Sequence, residues 1–226
     1  MIRRCFSEKS GIHASIRRLS SGGKVYVRGS GLYGALGLGD ALTDETIFTP
    51  LGFLNNINNV KHVSAGWGHS AAVTTQGEVY VWGKCFDFSS LLRLNRISAM
   101  SNSFARIVAR SSNSMLFGGG EHGYFPVPTR LPLDDVQTVQ CSAGLTVMLT
   151  KQGEVYVMGS NQWNQCGKPI DKQIHVYEPS LVPGIPLCKK VEAGLQHVVA
   201  LGRDGSCYAW GKSNKGQLGS QNISVY

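Results

Sequence analysis

The phrase Gln76-Gly77-Glu78-Val79-Tyr80-Val81-Trp82-Gly83 returns as Gln152-Gly153-Glu154-Val155-Tyr156-Val157-Met158-Gly159. It returns again, looser, as Asp204-Gly205-Ser206-Cys207-Tyr208-Ala209-Trp210-Gly211. A phrase that recurs along one chain implies a repeat architecture, in which each copy is a supersecondary unit that buries its apolar face only by stacking on its neighbour. The fullest unit, Val60 to Gly83, reads VKHVSAGWGHSAAVTTQGEVYVWG. Val60 and Val63 open a short apolar stretch, Ala65-Gly66 is a small-residue bend, and Ala71 to Thr75 is a second apolar run. Gln76-Gly77 makes a tight turn, where glycine takes positive φ without steric cost. Val79 to Trp82 is β-branched and aromatic, the composition of a strand, and Gly83 ends it. Apolar spacing of three and four does not persist across the unit, so it reads as an antiparallel meander.

The same frame fits Val136–Gly159 and Cys188–Gly211 without a gap. A weaker copy with one inserted residue runs through Ile97-Ser98-Ala99, Ala105 to Val108 and Met115 to Gly118, and a lone leading strand reads Lys24 to Gly29. Several closing glycines are followed by a second phrase: Gly34-Ala35-Leu36-Gly37, Asn164-Gln165-Cys166-Gly167 and Gly216-Gln217-Leu218-Gly219. That glycine density specifies a compact irregular loop, whose single leucine is expected to plug a gap between units. The residues between Gly83 and Ala99 lack the phrase. Closing glycines at 29, 83, 118, 159 and 211 give steps of 54, 35, 41 and 52 residues. Four-stranded units of that length stack radially as β-propeller blades, which leaves few exposed sheet edges.

The combination of AG-x-x-H, G-x-V-Y-x-W-G and G-Q-L-G resembles the regulator-of-chromosome-condensation repeat, and the resemblance runs from Gly23 to Gly219. No Trp-Asp pair closes a strand, as WD40 would require, and Gly118-Gly119-Gly120 is the one glycine run of kelch type. The resemblance implies an all-β fold: a partial propeller of about four blades plus one leading strand, from a ring that has seven blades in the family. Residues 1–22 form a separate head, 23–219 the repeats and 220–226 a truncated tail. Seven blades need ~350 residues, against 226 here, so the chain is expected to be a splice form or fragment. A shorter ring, or a dimer completing the circle, also satisfies the constraint on open edges.

The head, MIRRCFSEKSGIHASIRRLSSGG, is rich in Arg and Ser, nearly free of acids, and spaced with Ile2, Phe6, Ile12, Ile16 and Leu19. That composition suits an amphipathic mitochondrial transit peptide. Arg4-Cys5-Phe6 before Ser7 and Arg17-Arg18-Leu19 before Ser20 resemble matrix-processing sites. A basic tail without structure is the other reading. The head supplies half of the net charge of +8, and the body is only mildly basic. No apolar run approaches the ~20 residues that span a bilayer, so any association with the inner membrane would pass through partners. Six cysteines lie far apart without a C-x-x-C pair, which points to neither zinc nor a disulfide framework. Cys141 and Cys207 occupy small apolar positions and are expected to be buried packing residues.

Little in the chain points to chemistry. His69 and His197 share one repeat position, as do Trp82 and Trp210, and Gly83 and Gly211. A residue in the same place in successive blades is architectural, and the histidines are expected to hydrogen-bond a neighbouring loop. Ser103 and Leu145 hold the equivalent positions elsewhere, so no histidine ring assembles a metal site. Gly29-Ser30-Gly31-Leu32-Tyr33-Gly34 matches G-x-G-x-x-G, but a repeat loop follows instead of the helix a dinucleotide fold requires. No catalytic residue, cofactor site or small-molecule substrate is expected. The candidate partner-binding residues are basic: Arg93, Arg96, Arg106, Arg110, Lys212 and Lys215, on loops where propellers concentrate binding.

Within the family, the Arg-rich head and Met158 to Lys168 are most similar to the mitochondrial exchange-factor-like branch. That resemblance implies a non-enzymatic scaffold in the matrix or at the inner membrane, supporting large-subunit assembly of the mitochondrial ribosome through protein or ribosomal RNA contacts. It also implies two alternatives. One is guanine-nucleotide exchange on a GTPase, either the mitochondrial fusion dynamin or a Ran-like protein; no insertion comparable to the family's exchange wedge is found outside the repeat frame. The other is chromatin binding, which the head disfavours.

Overall fold

The β-branched and aromatic runs build four antiparallel sheets in the computed structural model, which describes residues 14–19, 24–31, 34–39, 44–57, 59–84, 125–169 and 174–219. The first sheet holds β1 (Ala14–Leu19), β2 (Lys24–Gly29) and β3 (Glu45–Pro50), followed by a short helix, α1 (Gly52–Ile57). The second holds β4 (Val60–Ala65), β5 (His69–Thr74), β6 (Val79–Gly83) and β7 (Phe125–Arg130). The third holds β8 (Val136–Cys141), β9 (Leu145–Thr150), β10 (Val155–Ser160) and β11 (His175–Leu181). The fourth holds β12 (Cys188–Ala193), β13 (His197–Gly202) and β14 (Cys207–Gly211). This is the all-β, partial propeller that the repeat implies.

Strand register makes the sheets comparable. The closing glycine pairs with the first residue of the strand before it: Gly29 with Ala14, Gly83 with His69, Gly159 with Leu145 and Gly211 with His197. The first sheet therefore contains counterparts of the second, third and fourth strands of a full unit, and the fourth sheet contains the first three. The leading strand expected to stand alone, Lys24 to Gly29, is instead the centre of a sheet. Its partner β1 falls within the stretch read as a basic head.

The weaker copy at 97–118 lies outside the described residues. β6 pairs with β7, placing Tyr80 opposite Arg130 and Gly83 opposite Phe125, as β2 pairs with β3 and β10 with β11. The connections 30–44 and 161–174 have 15 and 14 residues, whereas 84–124 has 41. The second and third sheets touch directly: the Cys141 N–H donates to Ser64 Oγ at 2.9 Å, and Lys61 Nζ to the Val136 carbonyl at 3.0 Å. The four sheets described are the three full units of the sequence reading and the sheet centred on Lys24 to Gly29.

Successive sheets bury their faces against each other. His69, Ala71 and Val73 on β5, with Val79 and Val81 on β6, are fully buried on the side toward the third sheet. They share one core with Met148 and Met158 of that sheet. Leu145, Val147, Leu149, Val155 and Val157 repeat the pattern toward the fourth. A buried residue after each fourth strand, Leu51, Leu131 or Val182, donates its N–H to a carbonyl of the third strand at 2.9 Å. The fourth sheet has no described successor, and Cys207, expected to be buried, is exposed there, while Cys141 is buried between the second and third sheets.

The hairpin glycines set the distance between sheets. The Gly77 carbonyl accepts from Val136 N–H at 2.9 Å, and Gly153 from Cys188 N–H at 2.7 Å. A Cβ on Gly153 would lie 2.6 Å from the Cys188 carbonyl oxygen, whereas one on Gly205, at the same repeat position, would meet nothing within 4 Å. Both have positive φ, 97° and 92°. Gly205→Ala should therefore cost only the left-handed backbone penalty of about 1–2 kcal/mol, and Gly153→Ala at least about 2 kcal/mol more. Paired thermal melts of the two variants check this difference.

Candidate interaction face

Strand direction sorts the connections to two ends of the sheets. The tight turns between second and third strands share one end. The first-to-second bends and the third-to-fourth connections share the other, called here the loop end. At the turn end the charges pair off: Arg130 with Glu78 at 3.2 Å and Asp134 at 2.6 Å, and Lys151 with Asp135 at 3.0 Å. At the loop end of the second to fourth sheets, the described segments 66–68, 84, 142–144, 161–169, 194–196 and 212–219 carry Lys84, Lys168, Lys212 and Lys215 and no acid.

Among the large apolar side chains exposed on this end are Trp67 at 53%, Trp163 at 42% and Leu195 at 68%. A chain of contacts joins these three. Trp67 N–H donates to the Ser142 carbonyl at 3.3 Å. Ser142 Oγ donates to the Gly194 carbonyl and, at 3.2 Å, to that of Leu195. Next to Leu195, Gln196 Oε1 accepts from Lys212 Nζ at 2.8 Å, and that ammonium lies 4.2 Å from the centre of the Trp163 ring. The Trp163 backbone is fixed by Gln165 Oε1, 2.7 Å from its N–H. The strip offers flat aromatic faces for stacking and ammonium groups for anions.

Of the expected partner-binding residues, Lys212 is part of this strip and Lys215 lies exposed in the same loop. Arg93, Arg96, Arg106 and Arg110 lie outside the described residues. Trp67, Leu195 and the role of Trp163 were not foreseen. The available signal was a large apolar residue in a bend where the third unit has only Ala143.

The repeat residues lie behind the strip. The buried Trp82 indole donates to the Ala35 carbonyl of the first sheet's loop at 2.9 Å, and Trp210 to the Gln165 carbonyl of the third sheet's loop at 3.0 Å. The two acceptors occupy the same place in the second phrase. The next residue, Leu36 or Cys166, is fully buried as a plug, and burial raises the Cys166 thiol to about 12. Gly83 and Gly211 leave room for the carbonyls of Gly68 and Gln196, at 2.5 and 2.6 Å from a built Cβ. The Gly31 N–H in the G-x-G-x-x-G stretch is taken by Asp44 Oδ1 at 3.0 Å, a carboxylate where a dinucleotide fold would present a phosphate. Among the described residues no three His, Cys, Asp or Glu side chains converge.

His69 Nε2 lies 3.0 Å from Thr146 Oγ1, on a strand of the next sheet and not on a loop. Half-buried His197 faces the uncovered side of the fourth sheet. Full burial lowers the His69 pKa from 6.5 to about 4.

The comparisons with known proteins agree with this geometry. The regulator of chromosome condensation (RCC1) repeat matches residues 60–84, 152–201 and 188–217. The chain is an RCC1-repeat protein. It is 26% identical over 242 residues to the mitochondrial RCC1 domain-containing protein RUG3 of Arabidopsis thaliana, covering 91% of this chain and 53% of that one. It is 29% identical over 219 residues to the mouse secretion-regulating guanine nucleotide exchange factor, covering 92% of this chain and 40% of that protein. The RCC1-repeat chain therefore spans about half, or less, of the relatives' length. Its fold matches the crystal structure of Prp20p from Saccharomyces cerevisiae with a TM-score of 0.66, at 20% identity, over 96% of this chain and 50% of that one.

Neutral when folded, His69 takes up a proton more readily in the unfolded chain. Protonation therefore favours unfolding as pH falls from 6.5 toward 4. Its contribution to stability, complete above pH 6.5, should decline by roughly 3 kcal/mol by pH 4. His69→Gln should flatten that part of the stability–pH curve in chemical denaturation series.

Proposed function

We propose that this RCC1-repeat chain is a non-catalytic mitochondrial scaffold that holds RNA on its loop end, in support of large-subunit assembly of the mitochondrial ribosome. The contiguous strip from Trp67 through Leu195 and Lys212 to Trp163 carries the reading. Exposed indoles accept unstacked bases, and the ammonium groups of Lys212 and Lys215 accept the phosphates between them. At the turn end Arg130 and Lys151 are already paired with carboxylates. The mitochondrial element draws support from the Arg-rich, Ser-rich head and from the relative named as mitochondrial.

Binding of a single-stranded RNA, followed by tryptophan fluorescence, tests the site. Trp163→Ala should weaken it roughly tenfold, in line with about 1–3 kcal/mol per stacked base. Lys212→Ala should reduce the slope of log K against log salt by about 1. An affinity insensitive to both changes contradicts the assignment. Within cells, the tagged chain should co-sediment in sucrose gradients with a ribosomal particle or assembly intermediate, and sedimentation only with free protein contradicts the assembly role.

A second reading, nucleotide exchange on a GTPase, is favoured by the exchange-factor relative and by the 41-residue connection that leaves the second sheet at the loop end. Acceleration of labelled-GDP release from a candidate GTPase would support it.

A further inference from the structure

The second, third and fourth sheets each close their loop end with the same backbone contact, and the fourth adds a side chain to it. The residue after or at the end of the third strand donates its N–H to the bend of its own sheet: Lys84 to the Gly68 carbonyl at 2.7 Å, Ser160 to Gly144 at 2.8 Å and Lys212 to Gln196 at 2.9 Å. Glycine occupies the bend in the second and third sheets, so the contact forms there without any side chain. In the fourth sheet the bend residue is glutamine, and its Oε1 accepts from Lys212 Nζ at 2.8 Å. Gln196 therefore holds Lys212 twice, at the backbone and at the tip of the side chain. The second hold is one that the repeat itself does not require.

This clasp aims the ammonium across the junction of the third and fourth sheets. Lys212 Nζ lies 4.2 Å from the centre of the Trp163 ring, on the loop of the third sheet. A free lysine tip samples many rotamers, and ordering it on a ligand weakens binding. Here the ordering is complete before any ligand arrives. Of the three ammonium donors, one goes to Gln196 and one side faces the indole, which leaves the remainder for an anion. The Gln196 amide is neutral, so it fixes the charge without cancelling it, as a carboxylate in its place would do.

We propose that Gln196 is a positioning residue for RNA: it holds Lys212 over Trp163, so that the indole that stacks a base and the ammonium that receives the adjoining phosphate are presented as one unit. The inference rests on the RNA reading and narrows it, placing the best-ordered nucleotide contact at the junction of the third and fourth sheets. Gln196 acts through Lys212 and need not touch the ligand. The bends at Gly68 and Gly144 have no side chain with which to order a cation in this way.

A chemical probe that needs no RNA and a binding cycle together test it. Acetylation of the full chain with acetic anhydride, read by peptide mass spectrometry, should label Lys212 more slowly than exposed Lys215 in the same loop. Gln196→Met should raise Lys212 labelling several-fold toward that of Lys215. Affinity for a fluorescently labelled single-stranded oligouridylate should fall roughly three- to tenfold in Gln196→Met, the range expected when one long side chain is left for the ligand to order. The same substitution should have no further effect in the Lys212→Ala background. Gln196→Gly, the residue the repeat carries at 68 and 144, should behave as Gln196→Met does. Gln196→Glu should keep Lys212 slow to label yet lower the slope of log K against log salt by about 1. Lys212 labelling that ignores the Gln196 side chain, unchanged affinity in Gln196→Met, or an equal loss in both backgrounds would overturn this inference alone. A wild type that binds no oligouridylate would remove the RNA reading, and this inference with it.

Discussion

Burial of one sheet against the next is the interaction on which everything else in this chain depends. A single three- or four-stranded meander with two apolar faces does not hold alone, and neither β5 nor β9 keeps any residue accessible once its neighbours are in place. The junction of the third and fourth sheets is pinned at both ends, that of the second and third at the turn end and that of the first and second at the loop end. At the turn end a hairpin glycine carbonyl accepts an N–H of the next sheet's first strand. At the loop end a tryptophan reaches back to the loop carbonyl of the sheet before it. Between them lies the apolar layer. The pins fix sheet spacing and tilt, and these in turn hold the loop end in the form that exposes Trp67, Leu195 and Trp163.

The tryptophan pin explains one departure from the repeat. The third sheet carries Met158 where the second and fourth carry Trp82 and Trp210. Its indole would need the loop carbonyl of the second sheet, and the residues after Gly83 lack the G-Q-L-G phrase. An indole N–H buried without an acceptor costs about 1–3 kcal/mol. Methionine fills the same volume and has no donor to satisfy. Loss of the loop phrase in one unit and loss of the indole in the next are two views of one broken contact.

Local features of the sequence were sufficient for the unit itself: the period, the turn glycines, the β-prone third strand and the plugging role of Leu36. Features that depend on neighbours were not. One of them is the pairing of β6 with β7 across a 41-residue connection. Nothing linear marks that pairing, because Phe125 to Arg130 contains two prolines and reads poorly as a strand. The six residues of α1 are too few to register as a helical period. Cys207 has the composition of a core position, yet no described sheet stands against it and it is exposed. The interaction strip was the least legible part. Trp67, Leu195 and Lys212 are brought together by sheet stacking across three units, and no spacing in the chain encodes that.

The most direct measurement concerns the junction between the second and third sheets, since their contact sets the order of the described sheets. Ser64 Oγ accepts from the Cys141 N–H at 2.9 Å, on first strands of the two sheets. Mild oxidation of the Ser64→Cys variant, followed by peptide mass spectrometry, should link position 64 to Cys141 in most molecules. A thiol at position 64 that stays free, or that links to Cys85 instead, would show that another unit stands between these sheets and would contradict the account.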